Sequence, residues 1–492
     1  MSISDLSSSA QMNKSLPAKW IYWVAGVFIA LNCVLIANGF FYAPLLPLGL
    51  AVMLLSLIAL DKLVLFIVFC TPLAINIPNI GGGVGLAIPT DPLLFGSMLV
   101  FFLKLLFEGK FDQKLLSHPV TIAIIINLAW IGITAFSSSM PVVSFKFLLS
   151  RMWFVVTFYF LAAQMFKQPK NIQRYIWVYV IPFMGIIGYT IYRHYTFGFD
   201  QQSANWVMSP FYNDHTVYGA ILAMFMPLLL TYTVSDIYSR STRIYIAIVF
   251  GIYILALILS YTRAAWVSLI VALGVYVVMK LRIRFTTLLI GGATALAILA
   301  MSWSQLQMKL EKNRQDSADD FSKHVKSISN ISSDASNLER LNRWGSAFRM
   351  FEQRPFVGWG PGTYAFKYAP FQMSQEKTII STNAGDMGNA HSEYIGPLAE
   401  SGVFGMLSIL LILITSITTG IKLYFRLSDP KTKMMVMALT LGIITYYIHG
   451  FLNNFLDTDK ASCPFWGFIA MLVMMDITLD KTTSEEKAIE GK

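Results

Sequence analysis

The sequence predicts an all-α polytopic integral membrane protein with about 12–14 transmembrane helices and one large non-cytoplasmic loop that carries amphipathic helices. Three observations predict it. Charged residues make up 13% of the chain, about half the ~25% usual in soluble domains, and mean hydropathy is +0.59. Apolar runs of roughly 20 residues recur, without the alternating ten-residue segments of a β-barrel. One long polar insert, 304–392, interrupts them.

In order, the apolar runs lie at 20–38, 41–60, 63–80, 87–106, 119–137, 142–164, 174–192, 216–235, 244–260, 264–279, 285–303, 403–421, 433–450 and 463–478. The first follows Lys14 and Lys19 without an A-x-A cleavage site, which predicts a retained helix and not a removed signal peptide. The chain divides into N-terminal spans (1–303), the insert (304–392), and C-terminal spans with a cytoplasmic tail (393–492). The Ser-rich start (1–13) and the end (480–492) read as unstructured tails.

Basic residues set the sidedness. Lys62, Lys110 and Lys114, Lys167, Lys170 and Arg174, Arg240 and Arg243, Lys280 to Arg284, and Lys422 to Lys433 fall in alternate loops, expected on the cytoplasmic side. The Gly81–Gly85 turn, 137–141, 193–215, the turn at Arg263, the insert and 450–462 then face away from the cytoplasm. Because the cations flank apolar runs, the net charge of +10 speaks for membrane orientation and against a nucleic-acid partner. Cys33, Cys70 and Cys463 lie in or beside apolar runs and imply no disulfide framework.

Within the insert, 309–337 is polar and poor in aromatics. From Leu338 the spacing of Leu338, Leu341, Trp344, Phe348 and Phe351 predicts an amphipathic helix, ended by Pro355 and the Gly358–Gly362 run. Such a helix would lie along the bilayer interface and hold Arg340, Arg343 and Arg354 above it. Arg340 and Arg343 can face together, as suits bidentate phosphate binding, or form a solvated polar face balanced by Glu339 and Glu352. Arg263, in SYTRAAW, reads either as a functional cation or as a snorkelling anchor at a helix end.

His391 falls before a span, expected in a first helical turn with Asn389 or Ser392 as cap, where the helix dipole would favour a neutral imidazole. Asp214 and His215, in FYNDHTVYG, suit a helix start capped by Asn213 or Asp214. Asp457-Thr458-Asp459 is a short DxD match, discounted on its side of the membrane. There is no HExxH, P-loop, GxGxxG or Cys/His cluster, so no metal or nucleotide cofactor is expected.

Taken together, these residues resemble the bacterial O-antigen ligase and O-antigen polymerase superfamily. His391, Ser392, Gly402, Gly405 and Ser408 match one motif; Arg340, Trp344, Pro355, Gly358, Gly360 and Tyr364 match a second. SYTRAAW matches a third, with Thr262 and Ala264 where Ser and Gly are commoner. FYNDHTVYG matches a segment that usually carries Asn, and Asp214–His215 departs from it. The resemblance covers 210–410.

The resemblance implies a GT-C-like fold in the bacterial inner membrane with the active site facing the periplasm. It also implies metal-independent, inverting transfer of a glycan from a polyisoprenyl-diphosphate carrier to lipid A–core or a growing glycan. His391, Arg340 and Arg263 would be catalytic; Arg343, Arg354, His215, Asp214, Trp344 and Tyr364 would bind substrate. A polymerase or a protein O-oligosaccharyltransferase shares this outline. A flippase or exporter of lipid-linked glycans fits the span number, but such transporters tend to carry paired repeats and midplane polar residues.

Overall fold

A computed structural model describes residues 18–37, 59–77, 86–109, 111–283, 287, 294, 335–378, 381 and 388–490. The runs 41–58 and 285–303, the 81–85 turn, the tail 1–13 and the first part of the insert (304–334) lie outside them, apart from positions 287 and 294.

Two units compose the chain, Met1–Leu63 and Val64–Lys492. The first contributes α1 (Ala18–Ala37), an apolar helix in which Asn32 donates to the Phe28 carbonyl. α2 (Leu60–Cys70) follows, then a 3-10 turn (Thr71–Leu73) and a hairpin of β1 (Ile75–Ile77) and β2 (Leu86–Ile88), with Ile75 opposite Ile88. The apolar run 63–80 is therefore not one span: α2 is 11 residues long, and Pro72 opens the turn that ends it.

Next come α3 (Thr90–Glu108), α4 (Pro119–Phe136) and α5 (Pro141–Val155). A π-helical turn, Val156–Leu161, joins α5 to α6 (Ala162–Phe166). α7 (Lys170–Thr196), α8 (His215–Val234), α9 (Arg240–Leu259) and α10 (Arg263–Lys280) complete the N-terminal half. The insert contributes α11 (Ala335–Gln353), and the chain finishes with α12 (Ile395–Arg426), α13 (Pro430–His449) and α14 (Asp459–Glu490). The expected unstructured end is instead a continuation of α14. Among the described residues nine helical stretches are long and apolar enough to cross a membrane, as expected of an all-α multi-pass membrane protein.

The second unit is built around α13, which packs on α8, α10, α12 and α14 and is buried along most of its length. α12 also packs on α4, and α11 lies on α12. The start of α14 fastens to the beginning of the unit. Thr90 Oγ1 donates to Asp459 (2.6 Å), and Lys460 Nζ donates to the carbonyls of Thr71 and Ala74. Tyr175 and Tyr179 of α7 donate to the carbonyls of Cys463 (2.8 Å) and Lys460 (3.0 Å). Cys70 and Cys463 are buried, Cys33 is exposed, and all three are free.

The amphipathic helix predicted from Leu338 is α11, but its two faces serve differently from the expectation. Leu341 and Phe348 stay 46% exposed, whereas Glu339, Asn342, Arg343, Ser346, Ala347 and Met350 are buried. The apolar edge is thus left for an apolar phase, and the face against the protein is largely polar.

Candidate active site

Three helix ends meet at one end of the second unit. Asp214 caps α8, its carboxylate accepting from the backbone N–H groups of Thr216 (2.7 Å) and Val217 (3.1 Å), as the sequence suggests. His215 is therefore the first helical residue. Its carbonyl accepts from Thr262 Oγ1 at 2.8 Å, and Thr262 is the residue before α10. The approach is close because Gly219 has no side chain: a Cβ there would lie 2.6 Å from Thr262. Arg263, first in α10, is held within electrostatic range of His215. His449 ends α13 and is within range of Arg340, Asp214 and His215.

The two glycine-rich segments lock together by their backbones. Trp359 and Gly360 donate to the carbonyls of Ala399 (3.1 Å) and Glu400 (2.7 Å), while Val403 donates to that of Pro355 (2.9 Å). Gly358 and Gly402 have φ of +65° and +69°. A Cβ on Gly358 would meet the Glu400 backbone at 2.3 Å, and one on Gly402 the Phe356 carbonyl oxygen at 2.2 Å. On the other face of α12, α4 docks: Trp130 donates to the Ser401 carbonyl and Asn127 to Ser408 Oγ, both at 2.8 Å. This docking and interlock account for the small residues at 402 and 408, while at Gly405 a Cβ would meet Ser401 Cβ (2.5 Å) and the Pro397 carbonyl oxygen (2.9 Å) of its own helix.

His391 is not in a first helical turn. It precedes α12 in a left-handed conformation (φ 47°), with its N–H bonded to Asn389 Oδ1 at 3.0 Å. Tyr394 stands at the N-cap position without a side-chain bond, and Ser392 Oγ accepts from the N–H groups of Tyr394 and Ile395 just ahead of the helix. Burial, then the charges of Arg343 and Arg340, hold the imidazole pKa down to about 4 from its ordinary 6.5. The neutral form expected from a helix dipole is thus produced by desolvation and two guanidinium groups.

Arg340 Nε donates to the Leu452 carbonyl at 3.2 Å, so the loop after α13 orients it. Arg343 is not on a solvated face. It is buried, paired with Glu339 at 2.8 Å, and donates to the Asn389 carbonyl at 3.0 Å, two residues from His391. Glu339 also accepts from Ser381, Thr378 and Asn342. Burial opposes its ionisation, but the bonds from Ser381, Arg343, Thr378 and Asn342 hold its pKa below the ordinary value. Tyr364 is buried, with its OH on the Arg343 carbonyl (2.7 Å). Trp344 packs edge-on against Phe451. Arg354 stands apart, its guanidinium 4.4 Å from the Trp359 ring centre.

Residues 248–410, which contain Arg263, Arg340 and His391, match the family described as O-antigen ligase. The chain is similar to that family over this stretch, 163 of its 492 residues. The family is one of glycosyltransferases of the O-antigen ligase and polymerase type, which act on lipid-linked glycans in a membrane. No curated protein matches the chain.

Two features of this candidate site, His449 and Glu393, escape sequence reasoning, whereas His215 does not. His449 and His215 are both within range of Arg340; both ring nitrogens of His449 and Nδ1 of His215 are buried without a hydrogen-bond partner. The signal for His449 was a lone histidine at a span mouth, the same signal that His391 gives. Glu393 is the second feature. Its Oε1 accepts from Tyr446 OH (2.6 Å), Phe455 N–H (2.7 Å) and Leu456 N–H (2.9 Å), and its own N–H donates to the Gly450 carbonyl (2.8 Å). It ties the His391 segment to the end of α13 and to the loop that orients Arg340.

Beside the site lies a cavity of about 930 Å³, joined to a smaller one of about 150 Å³ through shared walls at Asn76, Asn213, Asn389, Asn454, Asp457 and Thr458. Tyr364 lines the larger and Asp214 the smaller. Among the described residues no group of three or more acidic, His or Cys side chains is placed to hold a metal. Asp459 of the DxD match is bonded to Thr90 and lies 3.9 Å from Lys460.

Proposed function

We propose that the protein transfers a saccharide from a polyisoprenyl-diphosphate carrier to an acceptor hydroxyl, and that the acceptor is lipid A–core. The observation that carries the reading is the convergence at one end of the helix bundle, where Arg340 is within electrostatic range of both His391 and His215, and Arg263 of His215. The acceptor oxygen attacks the anomeric carbon as its proton passes to His391. The bond to the diphosphate breaks on the opposite face, which inverts the centre, and its electron pair leaves with the diphosphate. Arg340 and Arg263 stabilise that developing charge, a role two guanidinium groups fill without a metal. The exposed apolar faces of α9 and α10 beside Arg263 suit the polyprenyl tail. In this reading 304–392 supplies the catalytic loop, the flanking spans hold it on the periplasmic face of the inner membrane, and Arg354 and Trp344 border the donor.

Purified protein given a polyprenyl-diphosphate glycan and lipid A–core should form one glycan–lipid A adduct, in EDTA as well as without it. Arg340→Ala and Arg263→Ala should lose donor affinity together with turnover. Elongation of the glycan without lipid A–core would mark a polymerase instead. Loss of activity in EDTA that Mg²⁺ restores would overturn the metal-independent step.

A further inference from the structure

Arg151 is a buried charge within electrostatic range of Glu400 and Asp457 but without an ion pair to either. It lies ten residues into α5 from Pro141, which at ~1.5 Å per residue is about 15 Å from that helix end. It is only 6% exposed, its Nη1 has no hydrogen-bond partner, and no carboxylate among the described residues comes within ion-pair distance. A guanidinium placed so deep in a span is costly unless something hydrogen-bonds to it. The helix passes into its π turn five residues later, a distortion common at functional sites.

Arg151 lines the 930 Å³ cavity, and so do two further groups with unmet hydrogen bonds. Trp153 Nε1 is a buried donor without an acceptor, and Asn454 Oδ1 is a buried acceptor without a donor. The same walls carry Asp457, Glu400, Lys146 and the ring of Phe147, over which Arg151 lies at 5.4 Å. Arg151, Trp153 and Asn454 stand in these walls with their unmet atoms just behind the surface, so a small side-chain rotation presents them, with aromatic rings between, to a ligand that both donates and accepts around an apolar ring face. The balance of charge disfavours the diphosphate here. Asp91, Glu393, Glu400, Asp457 and Asp459 outnumber Lys146 and Arg151 on these walls. Burial, then the charge of Glu393, raises the Asp457 pKa to about 6, which leaves it mainly an acceptor at neutral pH. The volume is at the upper end of the roughly 300–1,000 Å³ typical of small-molecule sites.

We propose that this cavity binds sugar rings, with Arg151 and Trp153 donating to ring oxygens and hydroxyls and with Asn454 and Asp457 holding hydroxyls across the cavity. The proposal rests on the glycan transfer argued above. It divides the substrates by charge: diphosphate at Arg263 and Arg340, saccharide against α5.

The test uses the full chain in nanodiscs and three probes read by calorimetry. They are the oligosaccharide released from the lipid-linked donor, the dephosphorylated oligosaccharide released from lipid A–core, and polyprenyl diphosphate without sugar. At least one oligosaccharide should bind, and the one that does identifies the source of the sugars. Arg151→Gln and Trp153→Phe should each weaken it about tenfold or more while leaving polyprenyl diphosphate unchanged. Trp153→Phe keeps an aromatic ring in place, so it decides the matter if Arg151→Gln does not fold. The proposal is overturned if neither oligosaccharide binds, if both variants bind it like the parent, or if they lose polyprenyl diphosphate equally. Arg340→Ala should lose polyprenyl diphosphate and keep the oligosaccharide. Retention of the lipid probe by that variant would sink the transfer reading, with the saccharide arm still judging the cavity.

Discussion

Burial and two guanidinium charges act on His391 in the same direction, and this has a measurable kinetic consequence. A base with a pKa of about 4 is neutral at pH 7 but takes up a proton weakly. A diphosphate against Arg340 would offset part of the charge that depresses it, so the imidazole should become more basic once the donor is bound. The acid limb of kcat/KM, which reports the free enzyme, should fall near pH 4, and that of kcat should lie higher. A kcat limb at or below the kcat/KM limb would separate His391 from the diphosphate. His391→Ala should cost about 10²–10⁴-fold in turnover while donor binding persists. The same shift acts on stability: the fold prefers the neutral ring, so this contribution is complete above pH 6.5 and is lost as pH falls towards 4. Arg263, Arg340 and His391 are legible in sequence because each falls within a stretch that resembles a family motif. His449, a lone histidine at a span mouth like His391, lies outside those motifs, and what distinguishes it is burial beside Arg340. Arg343 carries the right chemistry for phosphate, but Glu339, one turn earlier, engages it.

Among the elements, the interlock of the 355–362 turn with α12 gives the glycines unequal weight. Gly198 also has a positive φ (+70°), but nothing lies within 4 Å of a Cβ placed there. Gly198→Ala should therefore cost only about 1–2 kcal/mol of backbone strain. Gly358→Ala and Gly402→Ala add a clash with backbone atoms at 2.3 and 2.2 Å, so both should lower the thermal midpoint further and abolish transfer. Equal midpoints for all three variants would remove the interlock as the reason for those glycines. Most described spans were legible from hydropathy alone, since a helix that faces lipid must be apolar along its length. The π turn after α5 was not, because its sequence, VTFYFL, is as apolar as its neighbours. Hydropathy likewise read 63–80 as one span, because it registers apolar side chains and not the turn that Pro72 opens.

For the whole molecule, the sidedness drawn from basic residues has a direct check. Gln202 and Ser374 are exposed in segments expected outside the cytoplasm, and Ser428 is exposed in one expected inside. With Cys33 replaced, Gln202→Cys and Ser374→Cys should react with an impermeant thiol reagent in intact spheroplasts, and Ser428→Cys only after lysis. The opposite pattern would move the proposed site to the cytoplasm. That the loops at 137–141, 193–215, 388–394 and 450–458 belong together was legible from alternation of charge. How they bond to one another was not, because those bonds run between backbone groups far apart in sequence. The longest of these links also bears on biogenesis. Asp459 and Lys460 secure α14 to Thr90, Thr71 and Ala74, and the Leu452 carbonyl that orients Arg340 precedes them by only a few residues. A nascent chain that has delivered everything through Glu393 would own both arginines and the base, yet have nothing to aim Arg340 and no partner for Glu393. On the proposed function, competence for transfer would therefore arrive only with the last span, and unfinished copies emerging from the ribosome would leave the carrier lipid untouched.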